Sequence, residues 1–89
     1  ALLSFTRSMA AEYAARGIRI NALAPGATDT TMVRNIGPEA LASMARASHL
    51  KRLADPDEMV GAVLYMASDA GSFMTGQCLT VDGGMVPAR

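Results

Sequence analysis

The stretch NALAPGATDTT, residues 21–31, decides how the rest of this sequence is interpreted. It completes an alternating apolar run over residues 18–23, whose period of two predicts a β-strand. Pro25 and Gly26 end that run, because proline cannot donate a hydrogen bond to a sheet ladder. Gly26 would let the backbone approach a ligand without a Cβ in the way, and the threonine hydroxyls that follow can donate or accept. The stretch is therefore either a solvated turn or a ligand-contacting loop.

Helical patterns lie on both sides of this predicted strand. Residues 1–16 carry large apolar side chains at three- and four-residue steps, and Gly17 ends the helix. After the strand, residues 39–47 form a short helical piece, and a longer helix covers residues 55–68. A second alternating strand follows at residues 78–82.

The order helix, strand, helical excursion, helix, strand predicts an α/β fold. Two strands separated by a helical connection of more than about a dozen residues are most simply parallel neighbours joined by a right-handed crossover. The letters DPDE mark the start of the second long helix. Asp55 is its predicted N-cap and Pro56 its first residue, and the Glu58 carboxylate can reach back as in a capping box.

Composition excludes several classes of protein. The 89 residues carry eight basic and eight acidic side chains, which indicates no basic surface for nucleic acid or an anionic membrane. Cys78 and His49 are the only residues of their types, which excludes an internal disulfide and a cysteine–histidine metal cluster. No apolar run approaches the roughly 20 residues that span a bilayer. We predict a soluble, cytoplasmic protein without a metal, in which Cys78 packs as a small apolar residue and His49 is solvated.

The first residues bear on the length of the protein. The sequence opens directly on a helical pattern, with neither an initiator methionine nor a residue ahead of Ala1 that could cap the helix. We therefore expect the C-terminal part of a longer protein. The sequence has no internal repeat, low-complexity segment or domain linker, so residues 1–89 are interpreted as one segment of a single domain.

Three segments resemble the short-chain dehydrogenase/reductase family. RINALAPGATDT is similar to the family's strand that ends in Pro-Gly-x-x-x-Thr, and SDAGSFMTGQCLTVDGG is similar to its C-terminal signature. ALLSFTRSMAAEYAARGIRIN resembles the helix after the family's catalytic Tyr-x-x-x-Lys and the strand that follows it. The three segments occur in the family's order and spacing. The resemblance implies the C-terminal part of a Rossmann-like doubly wound parallel sheet, in an enzyme that interconverts an alcohol and a carbonyl with NAD or NADP.

The resemblance also implies roles for individual positions. Contacts to the nicotinamide end of the cofactor fall on Pro25, Gly26, Ala27, Thr28 and Thr30. Backbone groups around Thr28 would bind the carboxamide, and Thr30 would add its hydroxyl toward the carboxamide or the pyrophosphate. The family often has Val or Ile in place of Thr28, so the resemblance assigns no role to that hydroxyl.

The long excursion after the predicted strand corresponds to the family's substrate-binding lid. This lid covers residues 28–53, and its apolar candidates for substrate contact are Met32, Val33, Ile36 and Met44. The substrate is a small alcohol or carbonyl compound whose identity these residues do not specify. Relatives commonly form homodimers or homotetramers through regions that match residues 1–16 and 55–82, so the resemblance implies a homo-oligomer.

The resemblance implies no catalytic residue within this chain. The family's catalytic Ser, Tyr and Lys and its glycine-rich phosphate loop correspond to positions upstream of Ala1. Tyr13 and Tyr65 are not substitutes, because Gly17 and Asp69 stand four residues later where a lysine is required. Two alternatives remain open. The chain is a non-catalytic piece that acts through self-association, or it belongs to a relative whose catalytic residues have degenerated into a binding role.

Overall fold

The computed structural model of the chain describes residues 1–85. Its helices and strands follow one another in the predicted order, with short 3₁₀ turns at Ala14–Arg16 and Asp69–Gly71. The elements are α1 Leu2–Tyr13, β1 Ala22–Pro25, α2 Thr31–Arg34, α3 Pro38–Arg46, α4 Pro56–Ala67 and β2 Cys78–Val81.

β1 and β2 are hydrogen-bonded neighbours in a two-stranded sheet. The Ala22 amide donates to the Gln77 carbonyl at 2.8 Å, and the Gly26 amide donates to the Val81 carbonyl at 2.9 Å. Residue numbers rise together along both partners, from 22 to 26 and from 77 to 81, so the strands run parallel. The predicted α/β class and parallel pairing are confirmed.

The predicted strand over residues 18–23 is wrong at its start, because β1 begins at Ala22. The backbone before Ala22 bonds to a loop. The Ile20 amide donates to the Thr75 hydroxyl at 3.1 Å, and the Ile20 carbonyl accepts from the Gly76 amide at 2.8 Å. An alternating pattern reports an extended backbone and does not reveal whether its partner is a strand or a loop side chain.

The chain divides into two compact units. One comprises Ala1–Ala24 and Gly61–Leu79, and the other comprises Pro25–Val60 and the described residues 80–85. The strands β1 and β2 and the helix α4 each contribute residues to both units. That residues 1–89 belong to a single domain stays a prediction.

The first unit has a core of small side chains. Ala10 of α1 and Ala22 of β1 are buried, and Thr6 is buried with its hydroxyl donating to the Leu2 carbonyl at 2.8 Å. A Cβ built on Gly76 would lie 3.4 Å from the Ala10 Cβ, so the loop before β2 packs closely on this face of α1. Small residues are used here because they let backbones come close together.

Many large apolar side chains of the first unit are exposed, and the others are at most half-buried. In α1, the large side chains of Leu2 and Phe5 are exposed, whereas the buried positions of the helix carry the smaller Thr6 and Ala10. The exposed large apolar side chains of this unit are Leu2, Leu3, Phe5, Ile18, Val63, Leu64, Tyr65 and Phe73.

In the second unit, Ala54 links the end of β1 to the start of α4. It forms a parallel bridge with Thr28. The Asp29 amide donates to the Ala54 carbonyl at 2.8 Å, and the Ala54 amide donates to the Ala27 carbonyl at 2.9 Å. The segment after β1 is therefore held by two backbone hydrogen bonds, although it belongs to no strand.

The turn predicted at residues 82–84 also pairs with the stretch between α3 and α4. Gly83 and Gly84 have φ angles of 65° and 79°, a region that favours glycine. The Gly84 carbonyl accepts from the His49 amide at 2.9 Å, beside an antiparallel bridge between the buried Ser48 and Met85. The turn thus closes β2 and also fixes the residues that follow α3.

Two glycines give a matched test of packing at and after α4. A methyl group added at the buried Gly71 would collide with the Tyr65 carbonyl oxygen and lie 3.3 Å from the Met66 Cα. Gly71→Ala should lower the free energy of unfolding by about 1–3 kcal/mol, because backbone atoms cannot move aside easily. A methyl at Gly61, inside α4, meets nothing within 4 Å, so Gly61→Ala should raise it by about 0.5–1 kcal/mol. Urea unfolding measures both shifts, and shifts of the same sign would contradict this packing.

Candidate functional site

Among residues 1–85, the backbone amide and carbonyl of Thr28 have no hydrogen-bond partner. Its neighbours Ala27 and Asp29 supply the carbonyl and the amide that bond to Ala54. In a parallel bridge of this kind, the residue between those two groups directs its own amide and carbonyl to the opposite side. Within residues 1–85, neither group of Thr28 has a backbone hydrogen bond. The segment after β1 therefore presents an N–H and a C=O from one residue.

Gly26 lies closer to the end of β2 than any other residue type could. A Cβ built there would be 2.8 Å from the Asp82 Cα and 2.9 Å from the Asp82 Cβ. The Gly26 amide also donates to the Val81 carbonyl, so the close approach is part of the pairing between the strand ends. This packing requires glycine by itself, and the predicted close approach of a ligand at Gly26 stays a prediction.

The hydroxyls of Thr28 and Thr30 are engaged in opposite senses. The Thr28 hydroxyl donates to the Gly26 carbonyl at 3.1 Å, so its proton is already used. Thr30 has an extended backbone and caps α2, where its hydroxyl oxygen accepts from the Val33 amide at 3.3 Å. The Thr30 hydroxyl therefore keeps its proton available for donation to another group.

Asp29, between the two threonines, pairs with Arg34 at the end of α2. The Arg34 Nη2 lies 2.6 Å from Oδ2 of Asp29, and Nε lies 2.5 Å from Oδ1. The hydrogen bond to Asp29, followed by the charge of that carboxylate, raises the pKa of the Arg34 guanidinium. The pair ties α2 to the segment that carries Thr30. The sequence did not signal it, because Asp29 precedes the helix and the rules for helical side-chain pairs do not apply there.

The start of α4 is held by the predicted capping box and by an ion pair. The Glu58 carboxylate accepts from the Asp55 amide at 2.8 Å, and the Asp55 carboxylate accepts from the Asp57 amide at 2.9 Å, which confirms the box. Arg52 adds two hydrogen bonds to Glu58, at 2.7 and 2.9 Å. The bonds from Arg52, followed by the Asp55 amide, lower the pKa of the Glu58 carboxyl from its ordinary 4.5 to about 2. The sequence predicted the box but not the arginine.

A cavity of about 100 Å³ lies in the second unit. It brings Gly26 and Ala27, two predicted cofactor contacts, together with the predicted lid residue Met44. The paired side chains of Arg52 and Glu58 also line it. The structure therefore joins three of the predicted site residues around one cavity.

The other predicted site residues do not line this cavity. Met32 on α2 is 81% exposed and Ile36 is 50% exposed, whereas Val33 is half-buried. α2 thus presents apolar surface next to the Thr30 cap. The predicted residues outside the cavity lining are Pro25, Thr28, Thr30, Met32, Val33 and Ile36.

Two further residues were singled out for their chemistry, His49 and Cys78. His49 is exposed, as expected. The expectation that Cys78 packs as a small apolar residue is wrong, because Cys78 lies on the more exposed face of β2, opposite the half-buried Leu79 and Val81. Across residues 1–85, no three His, Cys, Asp or Glu side chains converge as metal ligands. The same residues include no helix with the length and apolar character needed to traverse a bilayer.

Comparison with known families decides the assignment. A family model described as enoyl-(acyl carrier protein) reductase matches residues 1–86. The chain belongs to the short-chain dehydrogenase/reductase family. The resemblance drawn from the three sequence segments is thereby confirmed.

Individual short-chain dehydrogenases and reductases match over nearly the whole chain. It is 48% identical over 81 residues to cis-4-hydroxycyclohexanecarboxylate dehydrogenase of Sinomonas cyclohexanicum, covering 91% of this chain and 32% of that protein. A crystal structure of 3-oxoacyl-[acyl-carrier protein] reductase from Brucella melitensis matches with a TM-score of 0.92 and 38% identity, over 98% of this chain and 32% of that one. The structure of 4-hydroxyisoleucine dehydrogenase complexed with NADH matches with a TM-score of 0.87 and 26% identity, over 99% and 37%.

These matches bear on fold and on length. The predicted fold class is confirmed, because the structural neighbours are Rossmann-fold reductases and dehydrogenases of this family. The chain spans about a third of the length of the relatives that it matches.

The Arg52–Glu58 pair predicts acid-dependent stability. The pKa of Glu58 is about 2 in the folded chain and lies below its ordinary 4.5, so the contribution is fully present above pH 4.5 and is lost as the pH falls toward 2. Glu58→Gln should lower stability at neutral pH and flatten the pH dependence of the thermal midpoint between 4.5 and 2. Glu39→Gln, in the first turn of α3, is the matched control and should keep the slope. A wild-type slope in Glu58→Gln would contradict this role of the pair.

Proposed function

We propose that this chain is the C-terminal part of an NAD(P)-dependent oxidoreductase that interconverts a small alcohol and its carbonyl compound. Residues 28–53 form the substrate lid, and the nicotinamide end of the cofactor is contacted by Pro25, Gly26, Ala27, Thr28 and Thr30. The observation that carries the proposal is the open amide and carbonyl of Thr28, beyond the carboxyl end of β1, in a chain of this family. Ligands of parallel α/β sheets bind outside the carboxyl ends of the strands, where connecting loops leave a crevice.

The groups around Thr28 fit a primary carboxamide. A carboxamide has one carbonyl acceptor and two N–H donors, and Thr28 offers the complementary amide and carbonyl in one residue. The available proton of Thr30 adds a second donor, directed in this proposal at the carboxamide or the pyrophosphate. The nicotinamide, when bound, supplies or accepts the hydride, and the protein supplies its orientation.

In the sequence, the proposed lid overlaps the end of the proposed cofactor-contact segment and continues beyond it. The Asp29–Arg34 pair holds α2 beside Thr30, and the exposed Met32 and Ile36 give this region an apolar surface. Such side chains are suited to covering the apolar part of a substrate and excluding water from it. Met44 on α3 lines the cavity with Gly26 and extends the proposed lid toward the cofactor-contact turn.

The proton transfers of the reaction are assigned to residues outside these 89. In the proposed complete protein, the family's Ser, Tyr and Lys and its phosphate loop precede Ala1. The choice between NAD and NADP depends on a charged residue at the end of an upstream strand. We propose a cytoplasmic location, because the one cysteine among these 89 residues, Cys78, is exposed and has no disulfide partner among them.

A second candidate function is self-association. The first unit exposes large apolar side chains on α1 and α4, and soluble monomers rarely expose extended apolar patches. This observation supports a homodimer or homotetramer of the enzyme. It equally supports a non-catalytic chain that acts through assembly, so the decisive measurement is whether the protein binds and turns over a nicotinamide cofactor.

The proposal predicts a larger protein than these residues. Because the relatives are about three times as long, the intact mass of the protein from its source should be about three times the 9.3 kDa of this chain. Mass spectrometry of the purified protein measures it. A mass near 9.3 kDa would instead favour the non-catalytic alternative.

The complete protein should bind NADH or NADPH and oxidise it when a panel of small ketones and aldehydes is supplied. Loss of absorbance of the reduced nicotinamide measures the reaction. The 89 residues alone should bind neither cofactor tightly, because they lack a phosphate loop, and micromolar binding to them in calorimetry would contradict the assignment. If the upstream sequence has no Tyr-x-x-x-Lys ahead of Ala1, the enzyme proposal fails and a binding role replaces it.

A further inference from the structure

The cavity of the second unit adjoins both the proposed cofactor-contact turn and the proposed lid. Its wall includes Gly26 and Ala27 of the turn together with Met44 of α3. All its lining residues belong to the second unit. A substrate held beside the nicotinamide and under the lid would therefore have this cavity next to it.

The wall of the cavity is mainly apolar, and much of it is flexible. Three of the chain's seven methionines line it, Met44, Met59 and Met85, together with Leu50 and Val81. Methionine side chains are unbranched and have three rotatable bonds, so they adapt to the shape of what they contact. An apolar cavity of this kind favours an apolar occupant over water, which needs polar partners.

The polar side chains of the wall are engaged with other groups of the chain. Arg52 donates to both carboxylate oxygens of Glu58, at 2.7 and 2.9 Å. The hydroxyl of the buried Ser48 accepts from the Lys51 amide at 3.1 Å. Asp82 is the third charged residue of the wall, so its carboxylates outnumber its cations. An anionic group entering the cavity would lose water and meet this excess of negative charge.

We propose that this cavity receives an uncharged apolar chain of the substrate, so that the enzyme prefers straight-chain ketones and their secondary alcohols to substrates that carry a carboxylate at the chain end. The inference rests on the proposed function and adds a substrate class to it. The cavity measures about 100 Å³. By comparison with a protein cavity of roughly 150 Å³ that holds one benzene molecule, it has room for about four carbon atoms.

The test is a series of substrates supplied to the complete protein. We would measure kcat/KM for straight-chain methyl ketones that lengthen by one methylene at a time, starting from acetone. It should rise about three-fold per methylene over a run of about four and then reach a plateau, because each buried methylene contributes until the cavity is full. A keto acid with a carboxylate in place of the terminal methyl group should have a kcat/KM lower by about ten-fold or more than the ketone of equal length.

Variants of the wall should move the plateau. Met59→Ala widens the cavity and should extend the rise by about two methylenes, whereas Met59→Leu keeps the volume and should keep the plateau. Leu50→Ala is an independent widening at an exposed position. Val60→Ala, at the next residue of α4 and outside the lining, is the matched control. Each profile is normalised to the shortest ketone that the same variant reduces, so a partly unfolded variant still reports its plateau.

The outcomes separate this inference from the proposed function. Equal kcat/KM values along the ketone series, a keto acid reduced as well as its neutral counterpart, or a plateau that stays in place in Met59→Ala and Leu50→Ala would each overturn the inference. If the complete wild-type protein binds no nicotinamide cofactor and reduces no ketone or aldehyde, the proposed function itself fails. A plateau that shifts in both widened variants and stays in Met59→Leu and Val60→Ala supports the inference.

Discussion

The two hydrogen bonds between Ala54 and residues 27–29 are the constraint on which the candidate site depends. They hold a segment that is not part of any strand, and they orient it so that the Thr28 amide and carbonyl are directed away from Ala54. Ala54 also immediately precedes the cap of α4, where the Glu58 carboxylate binds the Asp55 amide and Arg52. Ala54 is therefore next in sequence to the capped start of α4 and is hydrogen-bonded to the residues that carry the candidate site.

The sequence predicted best the features whose partners are close along the chain. The capping box needs only residues 55–58, and the helix that it starts was found within one residue of its observed end. The predicted start of β1 was wrong because the backbone of Ile20 bonds to residues 75 and 76, and a local alternating pattern cannot reveal these partners. The prediction that Cys78 is packed was wrong for a related reason. Which face of β2 is covered depends on residues that are distant in sequence.

The candidate site was likewise predictable only where its residues are consecutive in sequence. Its position after a parallel strand could be predicted, because strand, Pro-Gly turn and threonines are consecutive in sequence. The bridge from Thr28 to Ala54 and the pair of Asp29 with Arg34 could not, because neither follows a helical or strand period. The relatives illustrate why the substrate is harder still to predict, because their names record cis-4-hydroxycyclohexanecarboxylate, 3-oxoacyl-[acyl-carrier protein] and 4-hydroxyisoleucine on one fold.

The contact between Gly26 and Asp82 has a consequence for how this segment can vary. A side chain at position 26 would meet the backbone Cα of residue 82 at 2.8 Å, so no compensating change in the side chain at 82 can make room for it. At Gly84, by contrast, the nearest obstacle to an added Cβ is the His49 ring, which a smaller residue at 49 would remove, leaving a tight 3.0 Å contact with the Cβ of residue 49 and the cost of the positive φ. Gly26 is therefore required by the backbone of the neighbouring strand end, whereas the contact at Gly84 depends on the side chain at position 49. A redesign of this segment for another ligand therefore has to begin with glycine at 26 and can choose its chemistry only from position 27 onward.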